Sequence, residues 1–431
     1  MTTIPSTMRT AQLAAILAAS LLASPLAAQQ RPTAARPPVE QKPALRRDNA
    51  NARDWTLHAE VRLHSTQIRG TDPRNLPATP QFILSGVEFL YPILDSSAMH
   101  EVYPSRMTSE FRIDTIPVDK EPEIRGGYQS LSSIGVWKAG AMKTHHLTFI
   151  AEIPMTCWET RIDETIARQY RWPAAPWSAE MALCLEPQLF VESKDEAVAA
   201  LVKKWAKGDP RAARPYDLAK TIAAGVIEHM RVTDPPTAAR SRGVEVGHAS
   251  AVLLEGFVVH GAAAVAREKK GSEFDLACLL TAAYRSAGLP ARLVIGLDVK
   301  RSEERQGTVL RSWTEFFLAR EPAPTATGAA AAITSNDGEW IPVDIFRQWE
   351  FSSRAPPPSQ RWEYFGHNEE FDFVVPIAFH WLPPEDCTNS GPPGIWGWRP
   401  TPVNPSCDAE VKLWAYETPR KGGVDPRPRK K

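Results

Sequence analysis

The sequence lacks a net charge: its 431 residues carry 50 basic and 50 acidic side chains. That balance leaves no electrostatic footprint for nucleic acid or for an anionic membrane surface, so neither partner is expected. Beyond the N-terminus it has no apolar run approaching the ~20 residues of a membrane-spanning helix, so no integral membrane segment is expected after removal of a leader. No cysteine or histidine falls at metal-ligand spacing, and neither metal nor cofactor is expected. Internal repeats are missing. Cysteine is sparse, at five residues, and the count is odd.

What is present begins with a leader. Arg9 precedes the apolar run Ala11 to Ala23, which is followed by Leu26-Ala27-Ala28. Basic, then apolar, then small is the order of a secretory signal over residues 1–28, although Leu26 stands where a small residue is preferred. The mature chain is therefore expected to be exported, to the periplasm or outside the cell. There cysteines are allowed to pair. Proximity in sequence offers Cys157–Cys184 and Cys387–Cys407, leaving Cys278 free. A length of 431 residues with 43% hydrophobic content predicts two folded units plus tails.

Residues 29–50 are rich in Pro, Ala, Arg and Gln and read as a disordered linker. The period then becomes two. Leu57, Ala59, Val61 and Leu63 alternate with polar residues, as do Leu147, Phe149, Ala151 and Ile153. Shorter strand candidates at 81–90, 109–116 and 134–138, with no helix among them, predict an antiparallel β-sandwich over 51–185. Next the period becomes 3.6. Helices are expected from a Ser193 cap to Gly208, from Tyr216 to Met230, up to Lys270, and from Asp275 to Ala287 ahead of Gly288 and Pro290. Strand-like runs follow at 293–297, 313–318 and 340–345, giving an α+β unit over 190–350 with a solvated insertion at 322–337. The region 351–431, aromatic and proline-rich with a basic tail, is expected to wrap a domain.

Four runs in the second unit carry chemical interest: Gly271-Ser272-Glu273-Phe274-Asp275-Leu276-Ala277, Gly288-Leu289-Pro290-Ala291-Arg292, Arg311-Ser312-Trp313-Thr314-Glu315 and Trp340-Ile341-Pro342-Val343-Asp344. In order, spacing and element type this stretch resembles the core of the transglutaminase-like superfamily. The resemblance implies a papain-like fold: a nucleophilic cysteine at a helix start, a histidine on a neighbouring strand and an Asp or Asn on the next. It also implies that the triad-equivalent positions here are Glu273, Arg311 and Asp344. A carboxylate is a far poorer nucleophile than a thiolate toward an amide, and a guanidinium stays protonated and accepts no proton. A Cys-His-Asp mechanism is excluded at this address.

Three readings follow from that departure. In the first, the domain is catalytically inactive, a structural or protein- and peptide-binding module with exported protein or peptide segments as partners; Glu273, Arg311 and Asp344 form an ion triad, and Ser272, Asp275, Trp313 and Trp340 are cleft candidates, the two tryptophans also suiting the core. In the second it remains an acyl transferase or amide hydrolase using Cys278 or Glu273. Against Cys278, a residue five positions along the helix from Glu273 points about 140° away. In the third, the strand-rich and C-terminal regions carry an interaction function.

Overall fold

A computed structural model describes residues 42–65, 81–94, 96, 99–118, 121–128, 132–234, 259–305, 307–320, 332–382, 394–402 and 407–418. The leader, most of the linker and Cys387 fall outside these residues, as does the side chain of Cys407.

The period-two region forms ten strands: β1 (Leu45–Ser65), β2 (Phe82–Leu84), β3 (Gly86–Ile93), β4 (His100–Val102), β5 (Thr108–Ile113), β6 (Ile116–Val118), β7 (Glu123–Tyr128), β8 (Ser132–Ala139), β9 (Met142–Thr144) and β10 (His146–Ile162). Its alternation is realised in β1, where Trp55, Leu57, Ala59, Val61 and Leu63 are buried. β1 starts inside the expected linker. Ala44 and Leu45 are buried, and their amides donate to the Glu339 carboxylate at 2.9 and 2.8 Å, so distant partners fix a stretch with little apolar content of its own.

Two short helices, α1 (Glu164–Ala167) and α2 (Ala179–Leu183), precede the longer ones, contrary to the expectation of no helix before residue 185. Then come α3 (Glu196–Trp205), α4 (Pro215–His229), β11 (Arg231–Asp234), α5 (Ala262–Glu268), β12 (Lys270–Ser272), α6 (Glu273–Ser286) and β13 (Ala291–Asp298). α3 is capped by Asp195, whose carboxylate accepts from the Ala197 amide, and not by Ser193, which donates to the Leu185 carbonyl instead. α7 (Val299–Arg305), β14 (Leu310–Ala319), β15 (Gly338–Val343), α8 (Ile345–Phe351), β16 (Val374–Ala378), β17 (Gly397–Thr401) and β18 (Cys407–Glu417) complete the chain.

Two large antiparallel sheets form in the β region, ordered β18-β1-β10-β5-β6 and β17-β3-β8-β7. Phe149 of the first stacks on Phe89 of the second at 4.1 Å and meets Trp137 at 4.5 Å, so the two sheets bury aromatic rings against each other. β17 and β18 come from the C-terminal region. They complete both sheets instead of wrapping a finished domain, and Trp362, Trp381, Trp396 and Trp398 are buried. The α+β part holds the sheet β15-β14-β13-β16 with α6 against it. Gln41–Lys431 clusters as one compact unit with a hydrophobic core common to all three expected regions. Most of the 322–337 insertion lies outside the described residues, but Ile333 near its end is fully buried and bridges to Trp177.

The expected Cys157–Cys184 bridge is not formed. Cys157 lies on β10 in the main core, whereas Cys184 caps α2 in a separate cluster with Phe317 and Trp340, so proximity in sequence does not bring the two sulfurs together.

Candidate functional site

The helix that matters starts where β12 ends. Ser272 is extended, its hydroxyl accepts from the Asp275 amide, and the Asp275 carboxylate accepts from the Ser272 amide, a reciprocal cap that stops the strand and starts α6. The same carboxylate also accepts from the amides of His260 and Gly261, each at 2.9 Å, and meets Nδ1 of His260 at 2.8 Å. These bonds tie the start of α6 to the entry of α5. Ser272 and Asp275 are thus anchoring residues, and neither borders the cavity beside Glu273.

Glu273 opens α6 and is 8% exposed. It faces a cavity shared with Asp298, Arg301, Arg311, Ser312 and Phe346 that holds about 10 Å³, room for about one water molecule. Burial pushes its carboxyl up to about 7 from 4.5; Arg301 and Arg305 pull the other way, while Glu350 and Asp344 add to the rise. A group titrating there can exchange a proton at neutral pH.

Arg311 stands opposite Gly296 in the β13–β14 register. A Cβ on Gly296 would lie 2.8 Å from the Trp313 ring, so the missing side chain lets that indole pack across the strand pair. The Arg311 Nε donates to Asp344 Oδ2 at 2.6 Å, its Nη2 meets the same oxygen, and its Nη1 donates to Asp298 Oδ2 at 3.5 Å. Burial opposes the charge on this guanidinium, but Asp344 and Asp298 outweigh it and hold its pKa above the ordinary value. Asp344 is oriented in turn by capping α8, accepting from the Arg347 amide at 3.0 Å.

The ion cluster is therefore Asp298–Arg311–Asp344, not the expected triad with Glu273. Among the described residues no hydrogen bond or ion pair joins Glu273 to Arg311. The physical reason is first burial, which favours the protonated Glu273 carboxyl, with the charges of Glu350 and Asp344 adding to it. Asp298 was missed in the sequence reading. Its signal was a single charge ending the apolar strand Leu293 to Leu297 beside a buried arginine.

Trp313 and Trp340 are core residues rather than cleft residues. Trp313 is fully buried against Phe371 at 5.2 Å, and Trp340 packs on Phe317 at 5.2 Å. Trp340 also covers one face of the Arg292 guanidinium, at 4.3 Å, with Phe379 on the other at 4.0 Å. Arg292 pairs with the fully buried Glu315 at 2.8 Å across the β13–β14 register. The Arg of the second run and the Glu of the third thus form one framework contact.

Cys278 is fully buried on another side of α6. Burial pushes its thiol well above the ordinary value, and Asp275 and Glu192 push in the same direction. A thiolate is strongly disfavoured there. Cys157 and Cys184 are likewise buried, with Cys184 raised to about 11 by burial. Glu363, His367 and Glu369 bring ligand atoms within 4.8 Å of one another, but the Arg361 guanidinium already sits on His367 Nε2.

Residues 204–345 match the family model described as the transglutaminase-like superfamily, and this part of the chain is a transglutaminase-like domain. Among solved structures, a candidate cysteine protease from Cytophaga hutchinsonii is similar at 12% identity and a TM-score of 0.46, covering 88% of this chain and 94% of that one. A candidate protease from Parabacteroides distasonis is similar at 10% identity and a TM-score of 0.20, covering 62% and 46%. Among curated proteins none matches.

Proposed function

We infer that the transglutaminase-like domain of this chain performs no thiol-based acyl transfer and serves as a structural or protein-binding module of an exported protein. One observation carries the reading. Where the family keeps a nucleophilic thiol, Glu273 faces a cavity of about 10 Å³, closed on the other side by an arginine clamped between Asp344 and Asp298. A glutamine side chain needs several times that space, and no thiol is among the residues that line the cavity. The structural role is the better supported half: α6 and the sheet β15-β14-β13-β16 share a core with the two β sheets. Export rests on Arg9 and the apolar run after it.

The experiment is incorporation of a fluorescent alkylamine into a glutamine-donor protein, run with the intact chain and with Glu273→Gln. No incorporation above background in either supports the reading. Incorporation by the intact chain overturns it, and its survival in Glu273→Gln together with loss after iodoacetamide would assign it to a thiol.

A second reading has one observation in its favour, the carboxyl of Glu273 with a pKa of about 7. Such a group could transfer protons for hydrolysis of a small substrate. Hydrolysis of a panel of amide and ester substrates, lost in Glu273→Gln with an inflection near neutral pH, would establish it.

A further inference from the structure

A concavity that the site does not use lies far from Glu273 in sequence, on the face of β1, β10 and β18 that points away from the aromatic core. It is a groove of about 590 Å³, within the size range of small-ligand sites. Its lining is not the apolar mixture of a simple packing defect. Thr56 and Thr156 form a buried floor, Tyr103 and Tyr416 stand over it, and Asp54 and Glu152 supply carboxylates. The register puts these groups side by side: Tyr416 is opposite Thr56, Thr56 opposite Pro154, and Asp54 opposite Thr156.

The polar groups are already oriented. The Tyr103 and Thr156 hydroxyls are 3.0 Å apart, Thr156 donates to Asp54 at 2.6 Å, and the Thr56 and Thr418 hydroxyls are 3.1 Å apart. Glu152 is held by His58 at 3.3 Å and Thr108 at 3.5 Å. A carboxylate offers two oxygens and about four lone-pair sites, so a ligand hydroxyl can share each acid with its protein partners.

Next to the groove the surface is aromatic. Trp414 precedes Tyr416 by two positions on β18, so both rings emerge on the same face about 7 Å apart. They are 40% and 43% exposed, among the few large side chains the fold leaves in solvent. His58 stacks on one face of Trp414 at 3.8 Å and fixes the indole. A second concavity of about 370 Å³ borders Trp414 where β18 meets α7, lined by Ser302, Glu303, Thr308 and Lys412.

Charge decides the class of occupant. Asp54 and Glu152 oppose an anion, while Arg106, which lines the same groove with its guanidinium 4.3 Å from the Tyr103 ring, opposes a cation. What remains is a neutral ligand with many hydroxyls to exchange with threonines and carboxylates and with flat apolar C–H faces to lie on aromatic rings. We propose that this face binds a neutral glycan chain, with successive sugar rings on Trp414 and Tyr416 and the sugar hydroxyls on Asp54, Glu152, Thr56 and Tyr103. The site is independent of the chemistry at Glu273.

The test uses the full chain titrated with chitotetraose, cellotetraose and maltotetraose, followed by calorimetry and tryptophan emission, with tetralysine and tetragalacturonate as charged controls. At least one neutral tetrasaccharide binds in the micromolar to millimolar range. Trp414→Ala and Tyr416→Ala each weaken it about tenfold or more with unchanged melting temperature, because both side chains are solvent-exposed, while Glu273→Gln binds like the parent. Three results each overturn the proposal: no binding of any neutral tetrasaccharide, binding that survives both aromatic substitutions, or binding of a charged control in their place.

Discussion

Two buried arginines on neighbouring strands have opposite meanings in this domain. Arg292 on β13 sits between the rings of Trp340 and Phe379 and pairs with Glu315. It belongs to the framework that the transglutaminase-like motifs describe. Arg311 on β14 borders the cavity beside Glu273, and it is held by two carboxylates, Asp344 and Asp298. The first pair keeps two strands in register, while the second places fixed charge beside the cavity that Glu273 faces. The contrast teaches that two buried arginines on paired strands can differ in kind, one locked between rings in the framework and one facing a cavity.

The sharpest way to break this comparison is to remove the framework arginine. Arg292→Ala leaves Glu315 buried without its partner and is expected to cost about 3–5 kcal/mol in urea denaturation. A loss under about 1 kcal/mol would mean that the pair is not part of the framework. Arg311→Met is expected to cost somewhat less, about 3 kcal/mol by the same measurement, because Asp344 keeps its bond from the Arg347 amide. A neutral or stabilising result would show that the cluster contributes nothing to the fold.

Glu273→Gln sharpens the contrast in the other direction, since it removes a group the fold holds under strain of desolvation. The folded carboxyl is raised to about 7 from 4.5, so the folded protein keeps a proton that the unfolded chain gives up. Its contribution is fully present below about pH 4.5 and is lost as pH rises toward about 7. The variant is therefore expected to match the parent at pH 4 and to exceed it by about 3 kcal/mol at pH 8. A variant less stable than the parent at pH 8 would mean that the charged carboxylate has a partner. The smallest effect is expected at the cysteines: Cys157, Cys184 and Cys278 should resist iodoacetamide in the native state and react only on unfolding, as mass spectrometry would report. Fast labelling of Cys278 would revive a thiol mechanism.

Much of the frame was legible because it is locally encoded. Ser272 and Asp275 announce the start of α6, Gly288 and Pro290 its end, and the apolar runs around Val294 and Phe316 their strands. Glu273 and Arg311 could be singled out residue by residue, though their lack of an ion pair could not. What escaped depends on partners distant in sequence. Asp298 reaches Arg311 only through the β13–β14 register, and Leu45 becomes strand only because Glu339 and β10 meet it. The C-terminal strands escaped for a related reason: Gly-Trp-Arg-Pro-Thr at 397–401 has no clean alternation, yet it pairs along β3. Trp313 and Trp340 show the limit of motif reading, since a motif gives residues of the core and of the cleft in one string.

The central claim is that Glu273 is a buried carboxyl outside the ion cluster, in a cavity too small for a substrate. Infrared titration of the protonated-carboxyl stretch, with Glu273→Gln as the difference reference, tests it directly. The account predicts a band present at pH 5.5 that disappears with a midpoint near 7 and is missing from the variant. A parent spectrum identical to that of the variant above pH 5.5, with Glu273 ionised in the ordinary carboxylate range, would contradict it.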